Sequence, residues 1–156
     1  MGPLATQLFY RMLIDMTDAE CDQDHLDMII LNHASMPDRT DVIKSGRIEE
    51  LYEALLRDVK KLEQNGAAAI AIPCNTSHMV LDRLQAKAGI PIINMIRETV
   101  RSIKEDRKEV RKVGILATDG TVASGLYQKA CTEAGMQPVL PSKTGQKLVM
   151  KIIYDG

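Results

Sequence analysis

Hydrophobic residues along this chain follow two patterns, one with the spacing of an amphipathic helix and one of short continuous apolar runs. Near the start, an apolar residue recurs at every fourth position (Leu4, Leu8, Met12 and Met16), a spacing typical of an amphipathic helix. Similar spacing predicts helices over 3–17, 48–64, 79–84, 96–110 and 122–134, and a further amphipathic stretch over 142–154. Short apolar runs predict strands over 27–33, 67–72, 90–95, 112–118 and 137–141. Because strands alternate with helices, we expect an α/β fold with a mainly parallel sheet.

One polar segment separates a predicted buried strand from a predicted helix. Residues 73–78 read Pro-Cys-Asn-Thr-Ser-His, which places a thiol, an amide, hydroxyls and an imidazole in succession. In an open parallel sheet, ligands bind outside the carboxyl ends of the strands. This segment is therefore the first candidate for a functional site.

Composition narrows the classes of function. The chain has 156 residues, enough for one compact domain or two small lobes, and its formal net charge is -1. This balance of charge does not favour nucleic acid or an anionic membrane surface as a partner. No apolar run approaches the roughly 20 residues that span a bilayer, and no signal-peptide pattern opens the chain. We therefore expect a cytoplasmic protein.

Sequence motifs of common metal and nucleotide sites do not occur. The three cysteines, Cys21, Cys74 and Cys131, lack C-x-x-C spacing, so they predict neither a disulfide framework nor a zinc site. The glycines form neither a G-x-G-x-x-G pattern nor a Walker loop, and no His/Glu pair has metal-ligand spacing. We expect no metal and no cofactor.

Cys74 has two interpretations. At the end of a strand and just before a helix, its thiol would lie near backbone N–H groups and the positive end of the helix dipole, which stabilise a thiolate. Free cysteine is also one of the most frequently buried residue types and often serves as a small hydrophobe. The polar residues that follow favour a reactive thiol at Cys74. Cys21, in a polar connector, and Cys131, within an amphipathic helix, are interpreted as unreactive.

The residues that follow Cys74 also have more than one possible role. The amide of Asn75 and the hydroxyl of Thr76 suit a carboxylate ligand, while Thr76 or Ser77 equally suits the N-cap of the next helix. His78 would either orient or activate the thiol, or make a structural hydrogen bond within the first helical turn.

Three further residues are candidates for binding a small acid. Thr118 and Thr121 repeat the strand–threonine–helix arrangement in the second half, and either hold the other side of the ligand or cap the following helix. Arg39, next to Pro37 and Asp38, carries a guanidinium suited to bidentate binding of a carboxylate. The alternative for Arg39 is a solvated surface residue.

Four sequence blocks together resemble the aspartate/glutamate racemase family, whose members act without pyridoxal phosphate. The blocks are Met-Gly-Pro-Leu-Ala-Thr at 1–6, Ser-Met-Pro-Asp-Arg-Thr at 35–40, Pro-Cys-Asn-Thr-Ser-His at 73–78 and Gly-Ile-Leu-Ala-Thr-Asp-Gly-Thr at 114–121. They occur in the order of the family, and the similarity covers essentially the whole chain. The resemblance implies two pseudo-symmetric α/β lobes with mainly parallel sheets flanked by helices, and an active site in the cleft between the lobes.

The resemblance also implies a mechanism. Two cysteines, one from each lobe, act on opposite faces of the substrate Cα, one removing the proton and the other returning it. Cys74 matches the first of them, and the substrate is a small dicarboxylic amino acid, aspartate or glutamate. By the same resemblance, the substrate-binding positions are Met1 and Gly2 on the cleft floor, Arg39 for the side-chain carboxylate, Asn75 and Thr76 for the α-carboxylate region, and Thr118 and Thr121 from the second lobe.

Two features of the family have no counterpart in this sequence, namely its opening strand and the Gly-Cys-Thr-Glu block that carries the second cysteine. Cys131 is followed by Thr132 and Glu133, but it lies within a predicted helix and is not assigned as that base. We therefore expect a partial chain, with 1–95 forming a first lobe without its opening strand and 96–156 the start of an incomplete second lobe.

The predicted function is cofactor-independent racemisation of aspartate or glutamate, with Cys74 as one of two bases. Two alternatives stay open at this point: a catalytically inactive relative that binds a dicarboxylate, and a one-cysteine decarboxylase or isomerase of the same superfamily. We expect little or no racemase turnover from these 156 residues alone. A homodimer is compatible with the sequence but is not indicated by any pattern in it.

Overall fold

A computed structural model describes residues 2–155 and shows an α/β fold in which short parallel strands are flanked by helices. The helices predicted over 3–17, 48–64 and 96–110 are confirmed, with ends shifted by a few residues. The strands are β1 (Ile70–Ala71), β2 (Ile92–Ile93), β3 (Lys112–Gly114) and β4 (Gln137–Val139). The helices are α1 (Pro3–Met16), α2 (Arg39–Ser45), α3 (Ile48–Gln64), α4 (Leu81–Gln85), α5 (Met95–Asp106), α6 (Asp119–Ser124), α7 (Leu126–Glu133) and α8 (Lys143–Asp155), with 3-10 turns at Asp22–Asp24 and Thr76–Val80.

The strands form two separate two-stranded parallel sheets. β1 pairs with β2, with Ile70 opposite Ile92, and β3 pairs with β4, with Gly114 opposite Val139. Parallel strands need a crossover connection, which here contains α4 in the first sheet and α6 and α7 in the second. Each crossover begins at a polar segment that the sequence singled out, after β1 at Cys74 and after β3 at Thr118.

The larger hydrophobic cluster packs α3 and α4 against the first sheet. Leu51 on α3 and Leu84 on α4 are both fully buried, with none of their surface accessible to solvent. Leu55 and Val59 continue the buried face of α3 at helical spacing. This packing holds the carboxyl end of β1, and therefore Cys74, on a fixed base.

A second cluster packs α5 and α7 beside the second sheet. Val100, Cys131 and Met136 are buried at its centre, and Tyr127 and Val113 pack around them. The two clusters draw on residues before and after position 95, and the division of the chain into lobes at that position stays a prediction.

The strand predicted over 27–33 is wrong. A strand needs hydrogen bonds to a neighbouring strand, and none of the described strands pairs with this segment. Its apolar side chains are exposed, with 51% of Ile29 and 49% of Ile30 accessible. Together with α1 and β1 these residues line an apolar groove of about 880 Å³.

Helix boundaries around the candidate site also differ from the prediction. The helix predicted over 122–134 begins at Asp119 and is broken at Gly125, whose φ of 69° is left-handed and accessible to glycine without strain. Helix α2 begins at Arg39 and was not among the helices predicted from the sequence. The side chain of Asp38 caps this helix by accepting a hydrogen bond from the Asp41 N–H at 2.8 Å.

Helices α1 and α8 contain no buried residue, so the apolar stripe of α1 that predicted the helix is exposed. Leu4, at its start, has 80% of its surface accessible. Within residues 2–155, no helix combines the length and the apolar character that crossing a membrane requires.

The packing of α4 against the first sheet yields a prediction about stability. Leu84→Ala should lower the free energy of unfolding by about 2–5 kcal/mol, because it removes a fully buried side chain and leaves a cavity. Urea denaturation followed by circular dichroism measures the loss. The matched variant Leu4→Ala, on the exposed face of α1, should change stability by no more than about 0.5 kcal/mol. Equal losses in the two variants would contradict this account of the core.

Candidate active site

The carboxyl end of β1 places Cys74 at the boundary between core and solvent. After the strand the backbone turns tightly, and the Cys74 N–H donates to the Ile72 carbonyl at 2.7 Å. The Cys74 side chain is half-buried and packs against the first hydrophobic cluster, so it combines core contact with access from solvent. This position is compatible with both interpretations drawn from the sequence.

The other two cysteines lie in different surroundings. Cys21 is exposed, and its thiol hydrogen-bonds to the carboxylate of Asp24 at 3.4 Å. Cys131 is 1% exposed in the second cluster, and burial raises the pKa of its thiol. Of the three cysteines, Cys74 is therefore the one that combines partial exposure with a position in the polar segment at 73–78.

His78 braces the backbone at Cys74. The Met95 N–H donates to Nε2 of His78 at 3.2 Å, so Nε2 is the unprotonated nitrogen. Nδ1 then carries the proton and donates to the Cys74 carbonyl at 2.9 Å. The ring is buried, and burial lowers its pKa, which favours this neutral form. Both ring nitrogens are bound to backbone groups, so the geometry supports the structural hydrogen bond rather than activation of the thiol.

Three threonine hydroxyls form a chain that joins the two polar segments. Thr76 Oγ1 lies 3.3 Å from Thr121 Oγ1, which in turn lies 3.2 Å from Thr118 Oγ1. Thr76 and Thr121 are both buried. Three hydroxyls bring three protons, and the two contacts within the chain use two of them, so one proton is left for a further acceptor.

The caps expected from the sequence are partly confirmed. Thr118 is the N-cap of α6, and its hydroxyl accepts a hydrogen bond from the Thr121 N–H at 3.3 Å. The expectation that Thr76 or Ser77 caps the next helix is wrong, because Asn75 occupies the N-cap position without a side-chain bond. That helix begins as a 3-10 turn and α4 has only five residues, so the helix dipole expected to act on Cys74 is short.

Asn75 is bound from the other half of the chain by a residue that the sequence analysis missed. The hydroxyl of Tyr127, on α7, donates to Asn75 Oδ1 at 2.8 Å. Tyr127 lies outside the four sequence blocks. The sequence carries no signal for this contact, because the four-residue spacing of Tyr127 and Cys131 indicates only that both face the second cluster.

Arg39 is the first residue of α2 and is partly buried, and its Nη1 donates to the Pro37 carbonyl at 3.3 Å. The start of α2 lies against the threonine chain. A Cβ added to Gly120 would meet Ile43 Cδ1 at 3.4 Å, Thr40 Oγ1 at 3.8 Å and Thr76 Cγ2 at 3.9 Å. Ile43 and Thr40 of α2 and Thr76 therefore all lie close around Gly120, at the start of α6.

Gly2 is not brought into this cluster by its described contacts. Gly2 precedes α1, and its carbonyl accepts hydrogen bonds from the backbone and hydroxyl of Thr6. Met1 lies outside the described residues.

The arrangement brings together a half-buried thiol, an amide and a chain of hydroxyls. These groups suit the binding of a carboxylate and the transfer of a proton at a carbon next to it. Among residues 2–155, no group of three or more His, Cys, Asp or Glu side chains is placed to hold a metal ion.

Comparisons with known proteins agree on one family. A sequence model of the family described as "Asp/Glu/Hydantoin racemase" matches residues 1–156. The "Broad specificity amino-acid racemase RacX" of Bacillus subtilis (strain 168) is 30% identical over 157 residues, which cover 98% of this chain and 66% of that protein.

Solved structures show the same fold. An aspartate racemase from Picrophilus torridus superposes with a TM-score of 0.85 at 33% identity, covering 98% of this chain and 63% of that one. An aspartate racemase homologue from Pyrococcus horikoshii OT3 superposes with a TM-score of 0.79 at 25% identity, covering 98% and 66%. This chain therefore spans about two thirds of the length of these relatives.

The buried imidazole of His78 predicts a dependence of stability on pH. An unfolded histidine binds a proton near its ordinary pKa of 6.5, whereas the folded state resists protonation because burial lowers the pKa of His78. Below that pH the unfolded state binds more protons, so this contribution to stability is complete at higher pH and is lost as the pH falls.

We therefore expect the free energy of unfolding to decrease between about pH 7.5 and about pH 5.5 by a larger amount in the native protein than in His78→Gln. Urea titrations at the two pH values measure this difference. His25→Gln, which changes a histidine outside the site, serves as the control for the loss of an imidazole. An identical decrease in native protein and His78→Gln would show that His78 is not buried in its neutral form.

Proposed function

The chain belongs to the Asp/Glu/hydantoin racemase family, and on this basis we propose that it carries the first proton-transfer centre of a cofactor-independent amino-acid racemase. The observation that carries the proposal is the half-buried Cys74 thiol at the end of β1, beside the amide of Asn75 and the threonine hydroxyl chain. Two of the relatives named above are described as racemases of amino acids, which supports the class of reaction.

The proposed substrate is aspartate or glutamate. Arg39 is the residue proposed to bind the side-chain carboxylate, because its planar guanidinium matches a carboxylate in a bidentate geometry. Asn75 and Thr76 are proposed for the α-carboxylate region, with Thr118 and Thr121 on the opposite side. Met1 and Gly2 keep the roles on the cleft floor that the family resemblance implies.

Two lobes, formed by 1–95 and 96–156, are proposed to border the substrate cleft. Two hydrogen-bonded contacts that cross this boundary support the proposal. One joins the hydroxyls of Thr76 and Thr121, and the other joins Tyr127 to Asn75. Both contacts involve the residues that follow β1, so the cleft would open at the carboxyl end of this strand.

The proposed chemistry is removal of the Cα proton by the Cys74 thiolate. The C–H bond breaks, the proton moves to Sγ, and the electron pair delocalises into the α-carboxylate. Because an amino-acid Cα–H is a very weak acid, the carboxylate needs hydrogen-bond donors placed to meet its growing charge. The amide of Asn75 and the free hydroxyl proton of the threonine chain are proposed as these donors.

Inversion needs a second base on the opposite face of Cα. In this chain Cys131 is buried in the second cluster and Cys21 is exposed and bound to Asp24, so neither is proposed for that role. A single thiol returns the proton to the face from which it was taken. For these 156 residues we therefore propose exchange of the Cα proton with retention of configuration.

The remaining expectations stay predictions. A cytoplasmic location and the absence of a nucleic-acid partner are expected from composition and charge, and a homodimer is compatible with the sequence.

Deuterium exchange tests the proposed function. When the protein is incubated with each enantiomer of aspartate and of glutamate in deuterated water, one enantiomer should lose its Cα proton signal in the NMR spectrum. No opposite enantiomer should accumulate, because a single thiol serves one face. Cys74→Ser should reduce the exchange rate by at least about a thousandfold, since the catalytic base is removed.

The variant Cys21→Ser removes an exposed thiol from outside the site and should exchange at the native rate. Binding of aspartate or glutamate without any exchange would support the inactive binding relative instead. Loss of carbon dioxide from the substrate would support a decarboxylase. Racemisation by the chain that disappears in Cys74→Ser would overturn the one-base description.

The proposed role of Arg39 predicts a selective loss of affinity. Arg39→Met should weaken binding of aspartate by about tenfold to a hundredfold, because a hydrogen-bonded charge partner of the side-chain carboxylate is lost. Binding of alanine, which lacks that carboxylate, should not change. NMR titration measures both affinities, and Arg11→Met on α1 is the matched control. A parallel loss for both amino acids would show that Arg39 does not read the second carboxylate.

A further inference from the structure

The contact between Tyr127 and Asn75 joins residues 52 positions apart in the chain. Tyr127 is held on the far side by its ring, which packs against the buried cluster of Val100, Cys131 and Met136. The hydroxyl is therefore presented to Asn75 from a rigid base. No other residue of α7 has a hydrogen bond to the segment at 73–78 among those described.

An asparagine amide has one accepting end and one donating end, and rotation by half a turn exchanges them. A carboxylate only accepts hydrogen bonds, so the amide helps to bind it only through its Nδ2 hydrogens. When Oδ1 accepts the proton of Tyr127, Nδ2 is turned to the other side. Within residues 2–155, Nδ2 of Asn75 has no hydrogen-bond partner, so both of its protons are available to a ligand.

The protonation of the Tyr127 phenol agrees with its role as donor to Asn75 Oδ1. Burial raises the pKa of Tyr127, against a smaller opposing effect from the Thr99 hydroxyl. The phenol therefore keeps its proton at neutral pH and donates it. The hydroxyl of Thr99 is already used, since it donates to the Met95 carbonyl at 2.7 Å.

We propose that Tyr127 is a positioning residue that fixes the Asn75 amide with its Nδ2 group towards the substrate carboxylate. This inference rests on the proposed function, because it assumes that Asn75 binds the α-carboxylate of an amino acid. Tyr127 itself does not touch the substrate. Its effect on recognition passes entirely through Asn75.

A double-mutant cycle on the full chain tests the proposal, with aspartate as the ligand and NMR titration as the measurement. Tyr127→Phe should weaken binding of aspartate by about tenfold, because the freed amide spends part of its time with Oδ1 towards the carboxylate. Asn75→Ala should cause an equal or larger loss. The double variant should bind as weakly as Asn75→Ala alone, since Tyr127 has no effect without the amide.

The choice of ligand gives a second readout that a structural role would not change. The native protein should prefer aspartate to its α-carboxamide, and Tyr127→Phe should reduce this preference. The reason is that a rotated amide presents an acceptor to the N–H of the carboxamide. Tyr52→Phe also removes a tyrosine hydroxyl, but its ring lies against Arg83, and both affinities should stay native.

Additive losses in the double variant, or native binding by Tyr127→Phe, would overturn the proposal while leaving the proposed function intact.

If the native protein binds no dicarboxylic amino acid, the proposed function fails, and the NMR signals of the Asn75 side-chain amide still test whether Tyr127 positions that amide. One sharp pair of NH₂ signals that broadens or shifts in Tyr127→Phe would support positioning, and an unchanged pair would overturn it. Thermal unfolding of each variant verifies that it is folded.

Discussion

Parallel pairing of short strands is the constraint on which the rest of this structure depends. A strand that pairs in parallel with a later strand must release the chain at its carboxyl end into a crossover. In β1 and β3 that release occurs at Cys74 and at Thr118, where polar groups replace apolar ones. The strands are only two or three residues long, so their pairing alone supplies little stability. Burial of α3 and α4 against the first sheet stabilises the arrangement.

The side chains of the candidate site are held in place by contacts between distant parts of the chain rather than by any single element. Thr76 and Thr121 are 45 residues apart, yet their hydroxyls lie 3.3 Å from each other. Gly120 lies beside this contact, with Thr76 and the α2 side chains of Thr40 and Ile43 close around it. The two contacts within the chain of hydroxyls use two of its three protons, so one proton remains for a further acceptor. The proposed carboxylate site therefore depends on how the two polar segments pack against each other.

Periodicity along the sequence predicted most helices and the α/β class, because helical spacing and buried apolar runs reflect local chemistry. It failed where a distant partner decides the outcome. Residues 27–33 have the composition of a strand, but no described strand pairs with them. Thr76 has the character of an N-cap, but its hydroxyl contacts Thr121 instead. Tyr127 could not be found from sequence spacing, because its partner Asn75 is on another element and only the packing of α7 brings them together.

The double attachment of His78 has a mechanical consequence. One nitrogen of the ring is bound to the carbonyl of Cys74 and the other to the amide of Met95, the first residue of α5. A shift of α5 away from the turn at Thr76–Val80 must break one of these bonds or carry the backbone of Cys74 with it. The planar ring of His78 therefore fixes the distance between the backbone of Cys74 and the first residue of α5. A displacement of the start of α5 that keeps both hydrogen bonds intact therefore also displaces the Cys74 backbone, although the ring makes no described hydrogen bond to Sγ.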